Sequence, residues 1–195
     1  LVTGSGLKVQ GFPAVGNGFG ANVTDIELKY QEKVPSVPTT EAAVIANVPA
    51  DGVDSSTYGV TVYGPNNDGR TMNMVFSKVE GKINTWEINF TIDDGTVSGG
   101  PVEAVFNADG ALLSPKNFNI SVAWDDGSTN NIAMDISKMT QYAGSSGITK
   151  VEQDGSPSGN FVKSFIDGNG IVKATYSNGA EINYAKLAIV GFESS

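Results

Sequence analysis

The chain has 195 residues, a formal net charge of −9, 24 glycines, no Cys and no His. Without Cys it has neither a disulfide framework nor a thiolate site, and without His it lacks the commonest general base and metal ligand. The acidic excess disfavours nucleic acid or an anionic membrane as partner, and no apolar run approaches the roughly 20 residues that cross a bilayer. The length suits one domain or two small ones. No charged start followed by an apolar stretch marks a secretion signal. The chain opens at Leu1-Val2 with no initiator Met, so it is expected to be a fragment or a processed product, and the missing signal is uninformative.

Glycines beside Asp or Asn recur along the chain, and almost no stretch has a 3.6-residue apolar period. That pattern predicts an all-β protein of short antiparallel strands and tight turns. Residues 6–11 read as a strand that turns at Pro13. Gly16, Gly18 and Gly20 are spaced wrongly for a dinucleotide loop and no helical pattern follows them, so a plain loop is expected. Residues 23–30 alternate, with Thr24, Ile26, Leu28 and Tyr30 on one side, until Pro35 and Pro38 break the run. Residues 39–50 alternate more loosely and read as a strand, with a short helix as the competing reading. Pro49-Ala50-Asp51-Gly52 ends it.

From Tyr58 the pattern becomes regular hairpins. Strands are expected at 58–63, 72–79, 85–92, 102–107, 111–113, 119–124 and 131–136, with turn signals every eight to twelve residues or so, as in sandwiches and barrels. Charge marks the same block. Residues 51–137 carry four basic and twelve acidic side chains, a balance of −8, against −1 for 1–50 and 0 for 138–195.

The last part is the most explicit. Runs at 161–166 and 171–177 flank Asp167-Gly168-Asn169-Gly170, and a third run follows Asn178-Gly179, which together predict a three-stranded meander. Asn-Gly supplies both positive-φ residues of a two-residue type I′ turn. Such a turn sets Tyr176 opposite Glu181, Ala174 opposite Asn183 and Val172 opposite Ala185. Val172, Ala174 and Tyr176 then share an apolar side, extended by Ala185, Leu187 and Ile189, while Lys173, Thr175 and Ser177 face water.

Gln153-Asp154-Gly155, Ser158-Gly159, Asp167-Gly168 and Ala174-Thr175-Tyr176-Ser177-Asn178-Gly179, taken in that order, resemble the bacterial flagellar hook protein family. Distal rod proteins of the same superfamily share part of this stretch. Met139-Thr140-Gln141-Tyr142-Ala143-Gly144 is similar to the segment where hook proteins return from an inserted domain. Gly59 to Gly64 followed by Asn84-Thr85-Trp86 is similar to a hook strand, turn and Thr-Trp strand. Gly64-Pro65-Asn66-Asn67-Asp68-Gly69 departs from the Asp-Ser-Leu-Gly common there.

The resemblance implies two β domains, the second inserted in the first: an inner one from 1–50 plus 138–195 and an acidic outer one from 51–137. Distal rod proteins generally lack so large an insertion. The family's helical, heptad-bearing ends are missing here, which implies a trimmed form that is monomeric. It further implies an extracellular structural subunit of the flagellar hook, exported by the flagellar secretion apparatus. Its expected partners are other copies in a helical tube and the distal rod, hook cap and hook–filament junction proteins.

No catalytic, cofactor-binding or metal residue is expected. Asp167 opens like a calcium loop, but Ile171 and Asn178 stand where that loop needs an oxygen ligand and a Glu. Asp93-Asp94 and Asp125-Asp126 adjoin glycine turns rather than flanking a scissile bond. Ser145 and Ser146 have no His to activate them. Trp86 and Trp124 read as packing residues in alternating strands. The alternative from another class is a secreted β-sandwich that binds carbohydrate or acts as an adhesin through exposed Trp86 or Trp124.

Overall fold

A computed structural model describes residues 1–28, 33–51, 54–66 and 68–189. It contains only strands, turns and loops among these, divided into two compact units: Leu1–Val34 with Gly159–Ser195, and Pro35–Ser158.

The smaller unit is a seven-stranded sheet of β1 (Gln10–Val15), β2 (Gly18–Phe19), β3 (Thr24–Asp25), β4 (Lys33–Val34), β16 (Gly159–Ile166), β17 (Ile171–Tyr176) and β18 (Glu181–Leu187). The order is β2-β1-β18-β17-β16-β4, with β3 also on β1. The strand expected at 6–11 lies later and runs through Pro13, which pairs with Ala185 at the last rung between β1 and β18. Of the run 23–30 only β3 is strand. Ile26 is buried and Leu28 packs beside it, while Lys29 and Tyr30 lie outside the described residues.

The meander forms as expected, with a different register. Tyr176 N–H donates to the Ala180 carbonyl and Gly179 N–H to the Tyr176 carbonyl. Gly179 has φ +84°. The loop is therefore Ser177-Asn178-Gly179, a three-residue connection whose glycine alone takes the left-handed conformation. Thr175 faces Glu181 and Ala174 faces Ile182. A bulge between Val172 and Lys173 then restores Val172 opposite Ala185. It lets the consecutive Tyr184 and Ala185 both reach the apolar side, where Val172, Ala174 and Tyr176 are buried. Leu187 packs there too, whereas Ile189 is 84% exposed.

The larger unit is a sandwich. One sheet has order β11-β10-β8-β7-β6, from β6 (Ser55–Val62), β7 (Arg70–Lys78), β8 (Thr85–Ile92), β10 (Val102–Phe106) and β11 (Leu112–Ser114). The other contains β5 (Glu41–Pro49), β9 (Gly95–Ser98), β12 (Asn117–Trp124), β13 (Thr129–Asp135), β14 (Thr140–Tyr142) and β15 (Gly147–Gln153). Its pairing is mixed. β5 runs parallel to β13 and β14 and antiparallel to β15, where hairpins alone were expected. Inward side chains of both sheets meet in one core of twenty-two buried apolar residues, among them Phe76, Trp86, Ile88, Ile120, Ile132 and Met134. Each buried side chain of this size contributes about 1.5–3 kcal/mol relative to exposure. The smaller unit's two clusters hold three buried residues each.

The units do not divide at 50 and 138, the boundaries expected from charge and resemblance. β5 buries Ala42, Val44, Ala46 and Val48 in the sandwich core, and β14 and β15 pair with it. Burial of one strand face, rather than a change in charge, sets the division. The whole net charge falls in 35–158, which has six basic and fifteen acidic residues, while the remaining residues carry six of each.

Candidate functional site

The chain enters the sandwich along residues 36–41 and leaves it along 153–158, and these two segments lie side by side. Val37 and Ser156 exchange backbone hydrogen bonds of 2.9 and 3.0 Å. Beyond this rung the Gln-Asp-Gly triplet reaches across. Asp154 Oδ1 accepts the backbone N–H groups of Thr40 (2.8 Å) and Glu41 (3.0 Å), and Oδ2 accepts the Thr40 hydroxyl. Gln153 Oε1 accepts the Thr39 hydroxyl at 3.0 Å and the Gly155 N–H at 2.6 Å, and its amide donates back to the Gly155 carbonyl. A Cβ on Gly155 would lie 2.4 Å from Thr39 Oγ1, so glycine alone fits.

Thr39 ties this clasp to both sheets. It is fully buried; its N–H donates to the Tyr63 carbonyl at 2.8 Å, and its hydroxyl accepts the Tyr63 N–H at 2.9 Å. Asn130 on β13 donates to the Thr39 carbonyl at 2.9 Å and accepts the Trp124 indole N–H at 2.6 Å. The loop after β6 holds the outer ends of the two segments. The Ser36 hydroxyl donates to the Gly64 and Pro65 carbonyls, and Asp68 accepts both the N–H and the hydroxyl of Ser158. This is the loop that departs from the hook pattern, and it is where the neck of the sandwich is fastened; its Asn67 lies outside the described residues.

Burial pushes the Asp154 carboxyl up, but hydrogen bonds from the Thr40 side chain and from the Glu41 and Thr40 amides outweigh it and hold the group below the usual carboxylate range. The cluster consists of a carboxylate, an amide and hydroxyls with their hydrogens committed. It is arranged to hold two chain segments together.

The residues weighed from sequence fall elsewhere. Trp86 and Trp124 are buried at 0% and 5% exposure, so neither forms a platform for a sugar, and the carbohydrate-binding alternative is not favoured. Asp94 takes Arg70 Nε at 2.6 Å, and Asp125 N–H donates to the Asp94 carbonyl, so the two acidic turns adjoin. Asp126 is held below its ordinary range by the hydroxyl and N–H of Ser128, the opposite of what a general acid needs. Asp167 Oδ1 accepts the N–H groups of Asn169 and Ile171, which makes it a turn residue. Ser145 and Ser146 sit in an exposed loop, and Gly16 lies in the β1–β2 turn. No group of acidic residues among those described could hold a metal ion. Sequence reading missed Ser36, Thr39, Thr40 and Asn130; the legible signal was Gln153-Asp154-Gly155 itself, whose side chains needed backbone donors to satisfy.

The chain thus carries a sandwich as an insertion between the two parts of a sheet unit, with the neck of the insertion fastened by hydrogen bonds. Residues 32–156 match the Flagellar basal body protein FlaE D2 domain, nearly the bounds of the sandwich, and the chain belongs to this family of flagellar proteins. The hook resemblance read from the sequence is thereby confirmed. Among solved structures it is similar to the flagellar hook protein FlgE2 of Helicobacter pylori, with a TM-score of 0.58 and 11% identity, over 96% of this chain and 77% of that one. No curated protein sequence matches the chain.

Proposed function

We propose that the chain is a structural, non-enzymatic subunit of the bacterial flagellar hook, the curved tube that carries torque from motor to filament. The family match over residues 32–156 carries this reading, and the likeness in fold to a hook protein supports it. The smaller unit is the inner domain of the tube wall and the sandwich is the outer one. Its partners are neighbouring copies, with distal rod, cap and junction proteins at the ends, outside the cell after export by the flagellar apparatus.

The mechanical role follows from the neck. Load that reaches the sandwich must pass through residues 36–41 and 153–158, since these are the chain's two passages. Their bonds to the loop after β6, to Tyr63 and to Asn130 spread that load over both sheets. Many modest hydrogen bonds in parallel, each worth about 0.5–1.5 kcal/mol net, resist small displacements without one brittle contact.

Deletion of the gene in its native bacterium, followed by electron microscopy of flagellar bodies, tests the reading. The expected result is rods that end without hooks, with swimming restored by the wild-type gene. Normal hooks and swimming in the deletion strain would overturn it.

A further inference from the structure

The sequence holds three Asn-Gly pairs, Asn17-Gly18, Asn169-Gly170 and Asn178-Gly179, all in hairpin connections of the smaller unit. Their surroundings differ. Asn178 is half-buried: its Oδ1 accepts the Ala180 N–H at 3.1 Å, its carboxamide leaves no room for a Cβ on Gly159, and the Gly179 N–H donates to the Tyr176 carbonyl at 2.9 Å. Asn169 is exposed, but the backbone around it is tied down. Its N–H donates to Asp167 Oδ1, the Gly170 N–H donates to the Asp167 carbonyl, and the Gly170 carbonyl accepts the Leu187 N–H at 2.8 Å. Asn17 is the second residue of the two-residue turn between β1 and β2, Gly18 opens β2, and both are exposed. β2 is two residues long and ends the sheet, so its rungs to Ala14 and Val15 and one bond from the Gly20 N–H to the Pro13 carbonyl are what hold the turn. Apart from its chain neighbours, a Cβ on Gly18 would meet only the Val15 carbonyl oxygen, 4.0 Å away.

We infer that Asn17 is a site of spontaneous covalent modification, losing its amide to become aspartate or isoaspartate, and that the fold protects Asn178 from the same reaction. The Gly18 backbone nitrogen attacks Asn17 Cγ, the new N–C bond closes a five-membered succinimide, and the side-chain amide leaves as ammonia. Water then opens the ring at either carbonyl, giving aspartate with the original backbone or isoaspartate with one extra methylene in it. Nothing is oxidised or reduced, and water is the sole co-reactant. Glycine in the following position favours the attack, since no Cβ stands beside the nitrogen. Ring closure also requires the backbone to swing that nitrogen onto the side-chain carbon, which a folded turn forbids until it opens. Opening costs least at a short edge strand and most where hydrogen bonds fix both sides. The order of reaction is therefore Asn17, then Asn169, with Asn178 last. Either product puts a new carboxylate in a unit that holds six acidic and six basic residues, and isoaspartate lengthens the β1–β2 turn as well.

Incubation of the purified chain in mildly alkaline phosphate buffer, followed by tryptic peptide mapping, tests this. Cleavage after Lys8, Lys29, Lys163, Lys173 and Lys186 puts the three pairs in separate peptides, and the mass gain on conversion of amide to acid reports each one. Position 17 is expected to convert first, roughly tenfold faster than position 178, the factor set by the hydrogen bonds that must open there beforehand. In guanidinium chloride the three rates should come together, since the unfolded chain has the same Asn-Gly chemistry at each. Gly18→Ala, which the open space and ordinary φ admit without strain, should slow position 17 severalfold and leave the other two unchanged. Conversion of the folded chain at 169 or 178 as fast as at 17, or a native order of rates that persists in guanidinium chloride, would overturn the inference. So would the absence of conversion at 17 over a period in which the unfolded chain converts.

Discussion

Trp124 donates its indole N–H to Asn130 Oδ1 at 2.6 Å, inside a sandwich where both residues are buried. Asn130 spends its own amide on the Thr39 carbonyl, 91 residues away in sequence. Asn130→Ala leaves a buried donor and a buried acceptor unpartnered, and each such group costs about 1–3 kcal/mol. A loss of roughly 3 kcal/mol is expected in the denaturant unfolding of the sandwich. Both tryptophans lie in that unit, so their fluorescence reports its transition. An unchanged midpoint would show that the Trp124–Asn130–Thr39 chain contributes nothing.

Asp154→Asn keeps the shape of the clasp but replaces an acceptor of three hydrogen bonds with an uncharged amide. Exchange of the Thr40 and Glu41 amide hydrogens should quicken by about tenfold while amides in β7 stay protected. The pH dependence has a definite sign. The folded carboxyl lies below its ordinary 3.8, so its contribution is complete above that value and is lost as pH falls through the lower folded pKa. Acid titration of Thr40 and Glu41 exchange should show this loss in the wild type and not in Asp154→Asn.

Two glycine substitutions separate backbone strain from collision. Gly179 has φ +84° and open space where a Cβ would go, so Gly179→Ala should cost roughly 1 kcal/mol, from strain alone. Gly110 has φ +80°, and its Cβ would fall 2.5 Å from the Gln141 carbonyl oxygen. There strain and overpacking add, and roughly 3 kcal/mol is expected. Equal losses in calorimetry would refute the collision.

Tyr176 and Tyr184 share a hydroxyl contact of 3.0 Å. Burial, with the bond to Tyr184, raises the Tyr176 phenol from 10.0 to about 12. A raised acid binds its proton longer when folded, so the smaller unit should lose stability as pH rises from 10 towards 12. Tyr176→Phe should flatten that alkaline decline when unfolding is followed by circular dichroism. A decline just as steep in the variant would mean another group causes it.

Acrylamide should barely quench the native tryptophan fluorescence, given exposures of 0% for Trp86 and 5% for Trp124. Quenching as strong as in the unfolded chain would place an indole at the surface and revive the sugar-binding alternative.

Much of this was readable in the sequence because the strands that carry it are local. The runs 85–92 and 171–177, with their turns, name their own hairpins through alternation and Asn-Gly or Asp-Gly punctuation, and Trp86 and Trp124 fall on buried positions of that alternation. What escaped depends on partners far along the chain. β9 looks like a glycine-rich link because its apolar content is small, and only pairing with β12 makes it a strand. β5 looks like part of the first unit until its parallel partner β13 appears, some 90 residues later. The Asn178-Gly179 register slipped because a third loop residue and a compensating bulge are backbone choices that residue identity does not dictate. The clasp was visible only as a motif, since Thr39 and Thr40 are unremarkable until Gln153 and Asp154 fold beside them.

The Val37–Ser156 rung means that the two ends of the sandwich are neighbours. An insertion whose ends already touch can be lifted out or exchanged by splicing at two adjacent points, and the host sheet sees the same short gap each time. The smaller unit can therefore carry a different module at the same place with no change in its own strands.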